Sequence, residues 1–268
     1  MTAPTAPAEK LLLLGADFAR HNDYLSRLRL DGRSPATALS QQAISTQHLA
    51  RSALDIIDDL NAQPMYHSPQ IRTVYARVRQ LAHLAADAAY DLLDAEDILD
   101  DARDGVPLNG DGPLLTYRQA LETANRSLNL VRELTALGPQ DTLTAAELFV
   151  TDRRRRSEIP PQQPPAFSPA QEATLRAVAR GEVTISDGKP YLRRDDLRLT
   201  LPTLRSLEAR GLVTREDCPL WLHDERVHLS ADGRRDLAAT FGRPPVPARL
   251  AARPAPVRAA KATTSHSL

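Results

Sequence analysis

The clearest pattern along the chain is a long run of apolar residues spaced alternately three and four positions apart. Every position in this series is apolar: Ile71, Val74, Val78, Leu81, Ala85, Ala88, Leu92, Ala95, Leu99 and Ala102. This spacing places all of these side chains on one face of a helix. The sequence therefore predicts one helix of roughly 30 residues whose apolar seam packs against other helices.

Neighbouring stretches supply the partner helices. Apolar residues recur at helical spacing from Leu11, again after Ser34 and Pro35, and again from Tyr117. A serine followed by a proline is a common helix start, because the serine accepts backbone N–H bonds and the proline needs none. Long helices with short connections predict an antiparallel bundle over residues 1–151. An open layer of two or three helices completed in a dimer fits the same pattern.

The end of this half carries two further signals. Gly138 and Pro139 form a glycine-then-proline pair that is typical of a helix stop. Asp141 follows and is predicted to cap a short helix that contains Leu143, Ala146 and Phe149.

Two stretches interrupt the helical pattern. Residues 152–166 read DRRRRSEIPPQQPPA, in which prolines favour an extended backbone. This segment is predicted to link two domains, and it carries the consecutive arginines Arg153, Arg154, Arg155 and Arg156. Residues 243–268 are basic, contain no acid and have few large apolar groups, so we expect a disordered tail there.

Residues 167–242 alternate helical and strand signals. Ser168 with Gln171 is a predicted capping box, and Asp187 with Gly188 is a pair that tight hairpin turns favour. Thr200 is predicted to cap a helix over 201–210, which is followed by strands over 212–216 and 226–229 and by a last helix after Ser230. The predicted fold class is mainly α, with an N-terminal antiparallel helical bundle and a C-terminal winged-helix-like α+β module.

Two motifs in this region carry a resemblance. TLRSLEARGLVTRE, followed by RVHLSADGRRDLAA, resembles the second half of a winged-helix domain of MarR or PadR type, and also such modules in uncharacterised actinobacterial proteins. The resemblance covers residues 167–242 only. It departs from the family pattern at RRDDLRL, which leaves little room for the helix that normally precedes the recognition helix.

The resemblance implies a DNA-binding surface. Winged-helix proteins present the start of the recognition helix to base edges, and their wing contacts phosphates or the minor groove. The implied contacts on the helix and around it are Thr203, Arg205, Ser206, Arg210, Arg193, Arg194, Arg198, Arg215 and Arg226, and the four linker arginines add phosphate attraction. Acidic residues such as Asp195, Asp196 and Glu208 dilute this charge, so a winged helix used for protein contacts is the alternative.

Charge divides the chain. Residues 1–150 contain 20 acidic and 13 basic residues, a net charge of −7, whereas the remainder contains 14 and 21, a net charge of +7. An acidic module joined to one suited to a polyanion produces this split, and so do two solvated surfaces of opposite sign. We therefore expect DNA as a partner of the second half and a homodimer or a partner protein for the N-terminal helices.

Other chemistry is not indicated. The aspartates between Asp87 and Asp104 alternate with the apolar seam and are expected to face solvent rather than a metal. His21 falls inside an apolar seam and is expected to be a hydrogen-bonded core residue. Phosphate loops, nucleophile elbows and zinc spacings are missing from the sequence, so no enzyme activity, cofactor or metal is predicted.

One cysteine and no long apolar run predict a cytoplasmic protein without membrane segments.

The predicted function is a DNA-binding regulator or accessory protein with a helical domain for self-association or partner binding. The alternative is a non-enzymatic interaction adaptor whose winged helix does not bind nucleic acid.

Overall fold

A computed structural model describes residues 6–32, 34–63, 68–107, 114–156, 167–193, 199–220 and 223–243. Its elements are α1 (Ala6–Arg27), α2 (Pro35–Asn61), α3 (Pro69–Asp104), α4 (Tyr117–Ala136), α5 (Gly138–Arg155), α6 (Pro169–Ala179), β1 (Val183–Ser186), β2 (Lys189–Leu192), α7 (Leu201–Ala209), β3 (Val213–Leu220), β4 (His223–Leu229) and α8 (Ala231–Ala238). The predicted fold class, mainly α with a C-terminal α+β module, is confirmed.

The N-terminal helices form an up-and-down bundle. Along α1 and α2, Lys10 pairs with Asp59 while His21 contacts Thr46, so the two helices run in opposite directions. Helix α3 packs extensively against α2, α4 and α5. Only Leu137 separates α4 from α5, and the two together form the fourth member of the bundle.

The seam of α3 lies where the spacing predicts it. Nine of its ten residues, from Ile71 to Leu99, are buried, and Ala102 is partly buried. The helix starts after Ser68, whose hydroxyl accepts a hydrogen bond from Ile71 N, and ends before Gly105, which adopts a φ of 69°. Local spacing and local caps are therefore sufficient to define this helix.

Two details of the helix starts differ from the predictions. Ser34 precedes α2 but its side chain makes no capping hydrogen bond. Helix α4 ends at Ala136, just before the predicted stop at Gly138 and Pro139, but Gly138 is already the first residue of α5, so Asp141 lies in the first turn of α5 rather than at its cap. Packing explains why residue 138 is glycine: a Cβ there would lie 2.3 Å from Phe18 Cγ, so this position needs glycine to admit the ring.

The C-terminal module contains one antiparallel sheet. Its strand order is β2-β1-β4-β3, so β1 pairs with both β2 and β4. The predicted Asp187 and Gly188 turn is present, with φ values of 50° and 70° at its two residues. The capping box of Ser168 with Gln171 and the cap at Thr200 are also present.

The bundle and the C-terminal module share one hydrophobic core. A single cluster joins Leu11, Phe18 and Phe149 of the bundle to residues of α6, β1, α7, β4 and α8, among them Leu175, Val227 and Leu237. A second cluster fills the far end of the bundle, around Leu25, Leu92 and Leu128. The C-terminal module is thus packed directly onto one end of the bundle.

The first residues of the predicted linker are helical. Helix α5 continues to Arg155, because Asp152 is buried and accepts a hydrogen bond from Arg156 Nε, while Arg154 donates to the carbonyl of Ala239. The rest of the predicted linker and the tail beyond Arg243 lie outside the described residues.

Candidate nucleic-acid interface

Helix α7 is the element that the sequence assigns to DNA recognition. Thr200 Oγ1 accepts a hydrogen bond from Thr203 N at its start, and Gly211, with a φ of 68°, follows its end. Leu204 and Leu207 are fully buried in the shared core. The opposite face is exposed and consists of Pro202, Arg205 and Ala209, with Arg210 directly after the helix.

The two predicted base-reading hydroxyls have neighbours inside the protein. Both Thr203 and Ser206 are half-buried. Thr203 Oγ1 lies 2.9 Å from Thr200 Oγ1, and Ser206 Oγ accepts from Gln171 Nε2 at 3.1 Å. Ser206 therefore points toward α6 rather than straight outward, and its hydroxyl keeps a donor hydrogen for another partner.

The arginines beside α7 differ in their environment. Arg205 is exposed and makes no hydrogen bond or ion pair within the described part of the chain. The Arg210 guanidinium carbon lies 4.7 Å from the centre of the Phe167 ring, a cation–π distance. Arg193 is exposed at the end of β2, whereas Arg194 and Arg198 lie outside the described residues.

Arg215 on β3 is engaged by acids. Its Nε donates to Glu208 Oε1 at 2.5 Å, and its Nη1 donates to Glu225 Oε2 at 3.1 Å. The hydrogen bond with Glu208 is the main cause that raises the pKa of Arg215. Two carboxylates thus balance the charge of this predicted wing contact.

The sequence predicts that Arg226 contacts DNA from the surface of the wing, but the structure buries this residue. It is 8% exposed, because β4 lies inside the sheet and this side chain turns toward α1. Its guanidinium donates to both carboxylate oxygens of Asp23 and to the carbonyl of Gly181. Burial opposes the charge, but the hydrogen bond and the charge of Asp23 raise the pKa of Arg226. This residue holds the module to the bundle.

A second ion pair lies beside the pair of Arg226 and Asp23, and here the arginine is on α1 and the carboxylate is on the sheet. Arg20 of α1 donates to both carboxylate oxygens of Glu216 on β3, each at 2.6 Å. Glu216 and Arg226 are direct partners across β3 and β4, and Arg20 and Asp23 are three residues apart on α1. We call these four residues the α1 clamp.

The clamp encloses a buried histidine. His228 Nε2 lies 3.4 Å from Glu216 Oε2, and His228 is 3% exposed. Burial and then the positive charge of Arg20 lower the pKa of His228 to about 4. The hydrogen bond from Arg20 lowers the pKa of Glu216.

The four consecutive arginines are not a uniform basic patch. Arg153 lies 5.7 Å from the Phe149 ring centre and 3.5 Å from Gln63 Oε1, and Arg154 and Arg156 are engaged by Ala239 and Asp152. Arg155 is exposed. Helical periodicity explains the difference, since successive residues of α5 point in different directions.

Sequence reasoning missed the α1 clamp. Its members are 196 and 203 residues apart, and no local signal marks residues that meet over such a separation. The only hint is the i, i+3 spacing of opposite charges at Arg20 and Asp23, which is also common on solvated helices.

His21 and the aspartates of α3 are the other candidate ligands in the sequence. His21 is a hydrogen-bonded core residue, as expected, with Nδ1 3.2 Å from Ser45 Oγ and Nε2 3.0 Å from Thr46 Oγ1. Over the described ranges, no three His, Cys, Asp or Glu side chains are grouped to hold a metal. Asp94 and Asp97 on α3 are exposed.

No described helix combines the length and the apolar character that crossing a membrane requires.

Comparison with protein families, curated proteins and solved structures finds no significant match for this chain.

Proposed function

We propose that the protein is a non-enzymatic, cytoplasmic DNA-binding regulator or accessory protein that presents α7 to the duplex. The observation that carries this proposal is the two-sided character of α7. Leu204 and Leu207 anchor the helix in the core, while Pro202, Arg205 and Ala209 form an exposed face. Small side chains permit close approach to a groove, and an unpaired arginine is the commonest donor to phosphate and guanine.

The order of elements supports the same proposal. Helix α7 precedes the antiparallel β3 and β4 pair, and β4 also pairs with β1, which is the strand pairing that a winged-helix arrangement requires. In this arrangement Arg205 is the central contact and Arg210 the flanking one. Arg226 has no part in DNA binding, because Asp23 and Gly181 occupy its donors.

The bundle takes the second role in the proposal, which is self-association or binding of a partner protein. Ile44 and Leu54 on α2 are 55% and 51% exposed, and Tyr90 on α3 is 68% exposed. Exposed apolar side chains of this size supply contact area for another helix or a second copy.

The alternative is an interaction adaptor whose C-terminal module contacts only protein. The balanced charge of the β3 and β4 pair favours it, since Arg215 is paired with Glu208 and Glu225, and Arg226 with Asp23. A DNA-binding wing normally offers cations to phosphate.

Capture of fragmented genomic DNA by the purified full-length protein, followed by sequencing, separates the two functions. The DNA-binding proposal predicts enriched fragments that share a sequence, and loss of this enrichment in Arg205→Ala. Arg118→Ala is the control, because Arg118 is also an exposed arginine and lies on α4. Equal recovery of all fragments by the three proteins would favour the adaptor.

A further inference from the structure

A cleft lies where α1 meets the hairpin of β1 and β2. Its volume is about 400 Å³. Residues of α1, of the end of α4 and the start of α5, of the turn before β1, and of β1, β2 and β4 line it, so both the bundle and the C-terminal module contribute. Clefts of this size between packed units are common sites for small molecules.

Part of the wall is apolar and closely packed. Ala19, Ala136, Pro139 and Leu192 contribute small or rigid apolar surfaces. Gly181 forms the bottom of the junction with α1: it has a φ of 68°, and a Cβ there would lie 2.7 Å from Ala19 Cβ. This glycine allows α1 and the turn before β1 to approach without a side chain between them.

The charged side chains in the wall leave one cation unbalanced. Arg226 is paired with Asp23, and Arg180 Nε lies 2.9 Å from Glu182 Oε1. Arg193 also lines the cleft, is exposed, and has no ion pair among the described residues. Among the described residues, the cleft therefore has three guanidinium groups and two carboxylates, and the excess positive charge is on Arg193.

Hydrogen-bonding capacity in the wall is also unused. Asn22 Nδ2 donates to Thr135 O, but within the described part of the chain neither Asn22 Oδ1 nor Glu182 Oε2 has a hydrogen-bond partner. Buried polar atoms in folded proteins nearly always have a protein or water partner. These two acceptors suit water or the donor groups of a bound molecule.

We infer that this cleft binds a small organic anion, with one carboxylate, phosphate or sulfonate group held by Arg193 and an uncharged body against Ala19, Ala136 and Leu192. The site is separate from the exposed face of α7, so the inference does not depend on DNA binding. Because a bound molecule would contact both the bundle and the module, it stabilises their packing by mass action.

Two fluorescent probes test the inference on the full-length protein. 8-Anilinonaphthalene-1-sulfonate is a monoanion, and N-phenyl-1-naphthylamine has the same ring system without the sulfonate. The anion should bind saturably at one site, about tenfold more tightly than the neutral probe, which is the size of one charge-assisted contact.

Variants assign that preference to the cleft. Arg193→Ala should reduce the affinity for the anion to that for the neutral probe, whereas Arg205→Ala should leave both affinities unchanged. Ala136→Phe should weaken both probes by obstructing the cleft, and Ala76→Phe, at an exposed position on α3, is its control. Because residues 136 and 76 are both exposed, unfolding midpoints should match those of the unchanged protein.

Three results would overturn the inference: no saturable binding of the anion, equal affinity for the two probes in the unchanged protein, or equal anion affinity in Arg193→Ala or Ala136→Phe. None of these readouts involves DNA, so failure here is distinguishable from failure of the proposed function.

Discussion

Arg226 of β4 and Asp23 of α1 form a two-point ion pair across 203 residues of sequence, and both side chains are largely buried, at 10% and 15% exposure. Glu216, the residue opposite Arg226 on β3, forms the reverse pair with Arg20. The edge strand β3 and its neighbour β4 are therefore fixed to the first helix of the bundle, whereas Pro202, Arg205 and Ala209 on α7 are exposed.

The first prediction concerns this pair. Asp23→Ala leaves a guanidinium buried without its carboxylate, and such changes cost about 3–5 kcal/mol of unfolding free energy. Urea unfolding should show this loss. Glu122→Ala removes the carboxylate of an exposed pair with Arg118 and should leave the unfolding midpoint nearly unchanged. Similar midpoints for both variants would mean that the pair with Arg226 does not hold the module in place.

The second prediction concerns the faces of α3. Leu92 is fully buried in the seam, and Asp94 is exposed. Leu92→Asp should unfold the bundle or cost several kcal/mol, because an unpaired carboxylate would enter an apolar core. Asp94→Asn should be nearly silent in thermal unfolding monitored by circular dichroism. If the two variants lose comparable stability, the assignment of the two faces is wrong.

The third prediction concerns Gly138. Gly→Ala at a helical position normally stabilises a protein by about 0.4–1 kcal/mol. Here the added Cβ would lie within 2.3–2.8 Å of three Phe18 ring atoms, so Gly138→Ala should instead destabilise by about 1–3 kcal/mol. Phe18→Leu in the same chain should reduce the penalty of the alanine. Gly32→Ala is the control, since its nearest neighbour is 3.8 Å away. A stabilising Gly138→Ala would contradict the close packing.

The fourth prediction concerns pH and His21. Thr46 Oγ1 donates its hydrogen to Gln42 O, so it accepts from His21, and the neutral imidazole carries its proton on Nε2. Burial lowers the pKa of His21 from 6.5 to about 4. The unfolded chain therefore binds a proton first as pH falls, so stability is full above pH 6.5 and is lost as pH falls toward 4, by about 3 kcal/mol at most.

Unfolding midpoints in urea across this pH range measure the effect. His21→Gln should have a shallower acid loss than the unchanged protein, and His228 supplies part of the remaining slope because burial lowers its pKa in the same direction. His48→Gln, at an exposed position on α2, is the matched control. An identical pH slope for His21→Gln and the unchanged protein would show that His21 is not protonated in this transition.

Much of the fold follows from local patterns. The seam of α3 and the caps at Ser168 and Thr200 depend on residues a few positions apart, so the sequence predicts them correctly. Gly138 is different: α4 does end just before it, but α5 begins at Gly138 itself, and the close approach of Phe18, far away in sequence, requires glycine there. Local signals do not show such tertiary contacts.

The candidate site was predicted less completely than the fold. The buried positions Leu204 and Leu207 follow from helical spacing. The contact of Ser206 with Gln171 and the burial of Arg226 do not, because both depend on how α6 and α1 pack against the module. Arginine counts in a sequence do not distinguish a cation offered to DNA from one that holds two elements together.

Binding of the full-length protein to a duplex across a salt series tests the central claim, that α7 contacts DNA. Fluorescence anisotropy would compare the unchanged protein, the Arg205→Ala and Arg210→Ala double variant, and the control Arg118→Ala. Because each lost phosphate contact reduces the slope of log K against log salt by about 0.9, the double variant should bind more weakly and lose about two units of slope. Unchanged affinity and slope in a double variant that retains its unfolding midpoint would remove α7 from any DNA interface.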